Sequence, residues 1–124
     1  MELVVVDDDD IERELGFRSP VNPGGRKQRL QNGRYPDLWS RQGIVGEVKN
    51  QVTARWGPEQ IEDYIEQCDA QWPDHRWRGI LVQGQPAVAP NALPRLRASR
   101  YTKRIEVWSV VETGLGHEVS RLFP

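Results

Sequence analysis

Two acidic residues and a lysine in the first half of the sequence are spaced as metal-dependent chemistry on phosphate esters requires. Asp37 follows Pro36, and nine residues separate it from Glu47-Val48-Lys49. Side chains two apart on a strand point to one face, so a strand here puts Glu47 and Lys49 together. Asp37, on the adjoining strand or its bend, can bring its carboxylate beside Glu47.

Paired carboxylates repel each other, and a hard divalent cation relieves the repulsion because it accepts oxygen ligands. We therefore expect Asp37 and Glu47 to bind Mg²⁺ or Mn²⁺. Such an ion polarises a phosphate and lowers the pKa of bound water, while Lys49 can orient that water or offset transition-state charge. The predicted reaction is hydrolysis of a phosphodiester.

The segments RYPDLWS and GIVGEVKN resemble the PD-(D/E)xK motif of the restriction-endonuclease-like nuclease superfamily. Gln60-Ile61-Glu62-Asp63-Tyr64 also matches the Gln-x-x-x-Tyr of a branch similar to RecB-type exonucleases, so the likeness covers about residues 34–64. It implies that Gln60 and Tyr64 join Asp37, Glu47 and Lys49 in catalysis. One helical turn separates Gln60 from Tyr64, so both can reach the active-site strand.

The same resemblance implies a further acidic metal ligand on a preceding helix, for which Glu14 is favoured over Glu12. Each motif is short, and purely structural roles for the same residues stay open. Glu47 and Lys49 also suit an exposed strand face, Gln60 a surface position and Tyr64 a core aromatic. The run Asp7 to Asp10 is more typical of a solvated helix cap than of a metal site.

The net charge of −1 hides a strong asymmetry. Residues 1–14 contain seven acids and one arginine, a charge of −6, so the remaining 110 residues carry +5. Two clusters of cations have no intervening acid: Arg18, Arg26, Lys27, Arg29 and Arg34, and then Arg95, Arg97, Arg100, Lys103 and Arg104. We predict that Arg26, Lys27, Arg29 and Arg34 bind DNA phosphates without base specificity, with the second cluster as the competing patch. Solvated surface is the alternative for both.

Among the tryptophans, Trp56 is the best candidate to stack on a base because it lies between the predicted strand and helix.

Periodicity and turn residues predict the elements that hold these side chains. Residues 25–32 and 35–40 are expected as extended pieces joined by a tight turn at Asn32-Gly33. Pro58 and the apolar stripe Ile61, Tyr64, Ile65 and Cys68 predict a helix from Gly57 to about Trp72. The other expected elements are a strand at 2–6, a helix at 11–15, strands at 44–52 and 78–84, a helical turn or two at 93–100 and a last strand at 105–111.

The chain of 124 residues fits one domain, 1–124. The fold implied by the resemblance is an α/β restriction-endonuclease-like core, with a mixed β-sheet of about four or five strands flanked by helices. No apolar run is long enough for a membrane span, so no membrane partner is expected. Cys68 cannot form an intramolecular disulfide, and with the distant His75 and His117 it makes a poor zinc set.

Short chains with this motif resemble the DNase domains of bacterial polymorphic toxins. That likeness implies a nonspecific DNase that acts in the cytoplasm of a target cell, is secreted as part of a larger effector and is neutralised by an immunity protein. A small junction-resolving or repair nuclease, which would need to form a homodimer, is the enzymatic alternative. A non-catalytic nuclease-fold binding module is the other, and RNA remains an open substrate beside DNA.

Overall fold

The computed structural model describes residues 28–40 and 42–124. Within this part of the chain the regular elements are, in order, β1 (Leu38–Ser40), β2 (Ile44–Lys49), α1 (Pro58–Gln71), β3 (Arg78–Gln83), α2 (Ala92–Arg97), a 3-10 turn (Thr102–Arg104), β4 (Ile105–Thr113) and β5 (Gly116–Phe123).

The five strands form one sheet in the order β1-β2-β3-β4-β5. The central strands β2, β3 and β4 are parallel, and each outer strand, β1 and β5, is antiparallel to its neighbour. Parallel neighbours need a long connection, and α1 and α2 lie in the two connections. The predicted mixed α/β sheet is therefore confirmed. The single domain over 1–124 stays a prediction.

Helix α1 begins and ends where its sequence predicts. Gly57 precedes it with φ of 118°, a conformation that only glycine adopts readily, and Pro58 occupies the start of the helix. Its apolar stripe is buried. The helix lies so close to β3 that a Cβ on Gly79 would come within 2.6 Å of Ile61 Cγ1 and 2.7 Å of Ile65 Cδ1. Glycine at this position is what lets α1 lie directly on the sheet.

The larger core cluster lies on the α1 face of the sheet and includes Val45, Leu81 and Val107 together with the helix stripe. At one end of it Trp39, Trp72 and Trp77 pack against one another, with ring centroids 5.0–5.8 Å apart. The opposite face has a smaller cluster of buried apolar residues, which comprises Leu38, Ile44, Ile80, Val82 and Val110.

Two predictions near the ends of the described chain are wrong. Residues 28–34 form no strand but a compact turn, in which the Leu30 N–H donates to the Arg34 carbonyl (2.8 Å) and Gly33 has φ of 86°. The first hairpin is β1–β2, in which the Gly43 N–H donates to the Ser40 carbonyl (3.0 Å). Strand β4 is also not the last, because β5 follows it. The polar alternation of β5 obscured it, since half of its side chains face solvent.

Strand β2 is shorter than predicted. It ends at Lys49, because the Val52 N–H donates to the Gln83 side chain (2.8 Å) instead of to a neighbouring strand. The predicted strand at 2–6 and helix at 11–15 lie outside the described residues. No helix in the described part of the chain has both the length and the apolar character needed to cross a membrane.

Candidate active site

The carboxyl groups of Asp37 and Glu47 lie together at the β1–β2 edge of the sheet. The Asp37 N–H donates to Glu47 Oε1 (3.2 Å), and the Val48 N–H donates to Asp37 Oδ2 (2.9 Å). Asp37 stands immediately before β1, and Glu47 lies on β2 opposite it. Two backbone amides thus fix the mutual position of the two acids, which is what their spacing predicts.

Two side chains of helix α1 form a chain of hydrogen bonds that ends on Glu47. The Tyr64 hydroxyl donates to Glu47 Oε1 (2.8 Å), and Gln60 Nε2 donates to the Tyr64 hydroxyl (3.0 Å). Tyr64 is only 2% exposed, so it is a core aromatic as well as a hydrogen-bond donor. Its polar end is engaged by Glu47, and the side chain fixes the orientation of that carboxylate.

The environment of Glu47 favours its protonated form. Burial, and after it the hydrogen bond and negative charge of the neighbouring Asp37 carboxyl, raise the pKa of Glu47 to about 7. The hydrogen bonds from Tyr64 and from the Asp37 amide act in the opposite direction. Burial and the Glu47 charge together raise the pKa of Tyr64 well above its ordinary value, so Tyr64 remains a donor.

Lys49 lies on the same face of β2 as Glu47, two residues on. It lines a pocket of about 790 Å³ together with Gln60 and the N-terminal end of α1. In the described part of the chain its amine makes no hydrogen bond or ion pair. Its charge is therefore not neutralised by an ion pair within the described residues.

The donor set of the site consists of oxygen atoms, which suits Mg²⁺ or Mn²⁺ better than a softer ion. Only two of its carboxylates belong to the described residues, and among these residues no group of three or more His, Cys, Asp or Glu side chains is placed to hold a metal ion. Glu14, the predicted third ligand, lies outside the described residues. Asp37 and Glu47 fit a hard cation by their chemistry, and they would supply part of the coordination of such an ion.

Cys68 takes no part in this chemistry. It lies on α1 with a fully buried side chain, and burial raises the pKa of its thiol to about 12. A thiol of this kind is neither a nucleophile nor a metal ligand at neutral pH.

The two basic clusters differ sharply in structure. Arg26 and Lys27 lie outside the described residues, and Arg29 is exposed. Arg34 is exposed at the pocket, 3.9 Å from Asp63. The first cluster thus remains a candidate for binding phosphate beside the site.

The second cluster is paired with acids of α1. Arg95 binds Glu62 (2.5 Å), Arg100 binds Glu66 (3.0 Å) and Arg104 binds Asp69 (2.6 Å). These three ion pairs, which we call the arginine ladder, fasten the α2 region to α1. Most of the charge predicted as a competing phosphate patch is thereby neutralised.

Gln83 is a residue that the sequence analysis missed. It ends β3 on the α1 face, is 1% exposed and binds three backbone groups, the Val52 N–H and the carbonyls of Gln85 and Ala87. Its amide holds the loop that follows β2 in place beside the site. A polar residue closing the apolar run GILV was the signal that could have found it.

Comparisons of the chain with protein-family models, with curated proteins and with solved structures found no match.

Proposed function

We propose that this protein is a metal-dependent nuclease of the PD-(D/E)xK type, with a restriction-endonuclease-like core, that hydrolyses phosphodiester bonds of DNA. The observation that supports this most directly is the contact between the Asp37 and Glu47 carboxyl groups. Lys49 follows Glu47 on the same face of β2 and lines the pocket. Ionising both acids of such a close pair costs free energy, and a divalent cation offsets that cost.

In this proposal Asp37 and Glu47 hold Mg²⁺ or Mn²⁺, and Glu14 completes the acidic set. The bound ion supplies Lewis-acid polarisation of the phosphate and a more acidic water. Lys49 directs its amine at the reacting phosphate, where it offsets the charge that develops during hydrolysis. Tyr64 and Gln60 are positioning residues, because Tyr64 donates to Glu47 and Gln60 donates to the Tyr64 hydroxyl.

The biological role we propose is that of a toxic DNase domain in an interbacterial competition effector, which acts in the cytoplasm of the target cell and is blocked by an immunity protein. The support is the resemblance of the motif segments to such domains. A junction-resolving enzyme that works as a homodimer is the alternative. Two measurements distinguish these roles. A toxin arrests the growth of cells that express it, whereas a resolvase prefers branched DNA as its substrate.

The test of catalysis is plasmid nicking with Mg²⁺ by the wild type and by Glu47→Gln. The glutamine keeps the shape and still accepts the Tyr64 hydrogen bond, but it removes a metal-binding charge. We expect nicking to fall by more than about 100-fold, beyond the usual effect of changes around a metal ligand. The matched control is Glu112→Gln, which removes an exposed carboxylate of β4 and should leave nicking unchanged.

Circular dichroism and thermal unfolding of both variants establish that the fold is intact. Wild-type nicking by folded Glu47→Gln, or equal nicking in the presence of EDTA, would overturn the proposed function.

A further inference from the structure

The pocket beside the candidate active site contains a tryptophan in an unusual position. Trp56 is 65% exposed, although a ring of this size gains several kcal/mol when it is buried. Trp39 and Trp77, by contrast, lie in the core with exposures of 5% and 0%. The exposed ring of Trp56 lines the same pocket as Lys49 and Gln60.

The Trp56 ring stands on an ordered turn. The Trp56 N–H donates to Thr53 Oγ1 (2.9 Å), and the Thr53 N–H donates to the Trp56 carbonyl (3.1 Å), so two hydrogen bonds close residues 53–56. Gly57 then packs against Leu81, where a Cβ would lie 3.2 Å from Leu81 Cδ1. The turn is thus anchored to the core, and little conformational entropy is lost when a ligand stacks on the ring.

The pocket is lined by three cations, Arg34, Lys49 and Arg55, and by two acids, Glu59 and Asp63. Within the described residues, neither the Lys49 amine nor the Arg55 guanidinium has a hydrogen-bond or ion-pair partner. Asp63, by contrast, accepts a hydrogen bond from Asn32 (3.0 Å) and lies 3.9 Å from an Arg34 nitrogen. Lys49 and Arg55, which line this pocket together with Trp56, are therefore available to an anionic group.

We propose that this pocket binds an unpaired base of a DNA strand, stacked on Trp56, while the adjoining phosphates contact Arg55 and Lys49. In the interior of a duplex both faces of each base are covered by neighbouring bases, so stacking on Trp56 away from a duplex end requires a single-stranded or locally opened segment. The substrate class is accordingly DNA with unpaired bases at the cleavage point. This inference rests on the proposed nuclease function for its link to cleavage, but the binding it describes does not depend on catalysis.

The test measures binding in EDTA, so that no strand is cut. Affinities for an oligodeoxythymidine of about 12 nucleotides and for a blunt duplex of the same length are compared by fluorescence anisotropy of labelled DNA. Trp56→Ala should weaken binding of the single strand by about ten-fold or more and should change duplex binding by less than about two-fold. Trp56→Phe, which keeps a stacking face, should restore most of the affinity.

The matched control is Trp108→Phe, which changes a half-buried tryptophan on the opposite face of the sheet and should leave both affinities unchanged. The single strand should also quench tryptophan emission in the wild type and in Trp108→Phe, but not in Trp56→Phe. An oligouridine of equal length tests whether the same pocket accepts RNA.

An equal decrease of single-strand and duplex affinity in Trp56→Ala, or no decrease, overturns the proposed base pocket. These results are distinct from a failure of the nuclease proposal. A protein that binds single strands through Trp56 and yet does not nick DNA with Mg²⁺ refutes catalysis alone. A protein that nicks DNA and shows no dependence on Trp56 in binding refutes the pocket alone.

Discussion

At the scale of single residues, Glu47 concentrates several requirements in one carboxyl group. It accepts hydrogen bonds from Tyr64 and from the Asp37 amide, lies against the Asp37 carboxyl and is 7% exposed. These contacts hold it in one orientation, while burial and the Asp37 charge make its ionised form costly. The side chain is therefore well placed for a cation and poorly placed for stability without one.

This leads to a prediction about pH and stability. Because burial and Asp37 raise the pKa of Glu47 to about 7, the folded state holds a proton there that the unfolded state releases near its ordinary value of 4.5. The stabilisation is complete below pH 4.5 and is lost as pH rises through about 7. In EDTA, the free energy of unfolding should fall by about 2 kcal/mol between pH 5 and pH 8, with allowance for solvent screening.

Urea unfolding at the two pH values measures this change, and Glu47→Gln, which cannot ionise, is the control. The variant should lack most of the pH dependence and should be the more stable protein at pH 8. Parallel pH profiles for the two proteins would contradict the assignment of the raised pKa to Glu47.

At the scale of elements, α1 contacts both the strands that carry the candidate site and the α2 region. Its inner face packs on β2 and β3 and places the Tyr64 hydroxyl against Glu47. Three of its acids form the ion pairs of the arginine ladder. In the ladder Glu62 accepts hydrogen bonds from Arg95 and Ser99. Burial of Glu62 opposes ionisation, but these bonds outweigh it and lower the pKa of the carboxyl. The ladder acids Glu62, Glu66 and Asp69 thus have a structural role, whereas Glu59 and Asp63 line the pocket.

The ladder predicts unequal effects of two similar substitutions. Arg104 makes a bidentate contact with Asp69 (3.0 and 2.6 Å) and its side chain is 17% exposed, whereas Arg100 is 70% exposed. Arg104→Gln should lower the free energy of unfolding by about 1 kcal/mol, and Arg100→Gln by less than about 0.5 kcal/mol, because solvent screens the exposed pair. Urea unfolding measures both changes. Equal decreases in the free energy of unfolding would show that the strength of these ion pairs does not depend on their burial.

At the scale of the whole molecule, the distribution of positive charge bears on where the proposed DNA substrate would lie. The acids of the ladder neutralise the charges of Arg95, Arg100 and Arg104, whereas Arg29 and Arg34 are exposed. Arg34, Lys49 and Arg55 line the pocket beside the carboxyl pair. For the proposed nuclease, a substrate path from the first basic cluster toward Lys49 is therefore favoured over one across α2.

The corresponding prediction concerns the salt dependence of DNA binding. Replacing Arg26, Lys27 and Arg29 together by glutamine should reduce the slope of log affinity against log salt by about 0.9 for each phosphate that the protein no longer neutralises. The decrease in affinity should be similar for different DNA sequences, because binding to phosphates carries no base information. Arg100→Gln is the control and should leave the slope unchanged. An unchanged slope in the triple variant would make the first cluster ordinary surface.

The sequence by itself determined the elements whose signals are local. The apolar stripe of α1, the helix-initiating Gly57-Pro58 and the alternation around Glu47 and Lys49 each depend on neighbouring residues, so they could be predicted from periodicity. The convergence of Asp37 with Glu47 followed from their spacing in an antiparallel pair. Strand β5 escaped prediction because its exposed polar face leaves a weak hydrophobic signal.

Only the tertiary structure decided which charges are available and which are used. Arg95 and Arg104 look like free cations in the sequence, yet their partners Glu62 and Asp69 lie 33 and 35 residues away. The raised pKa of Glu47, the buried hydroxyl of Tyr64 and the exposed ring of Trp56 likewise depend on what packs nearby. Ion pairing and desolvation act through distances in space, which the order of residues along the chain does not contain.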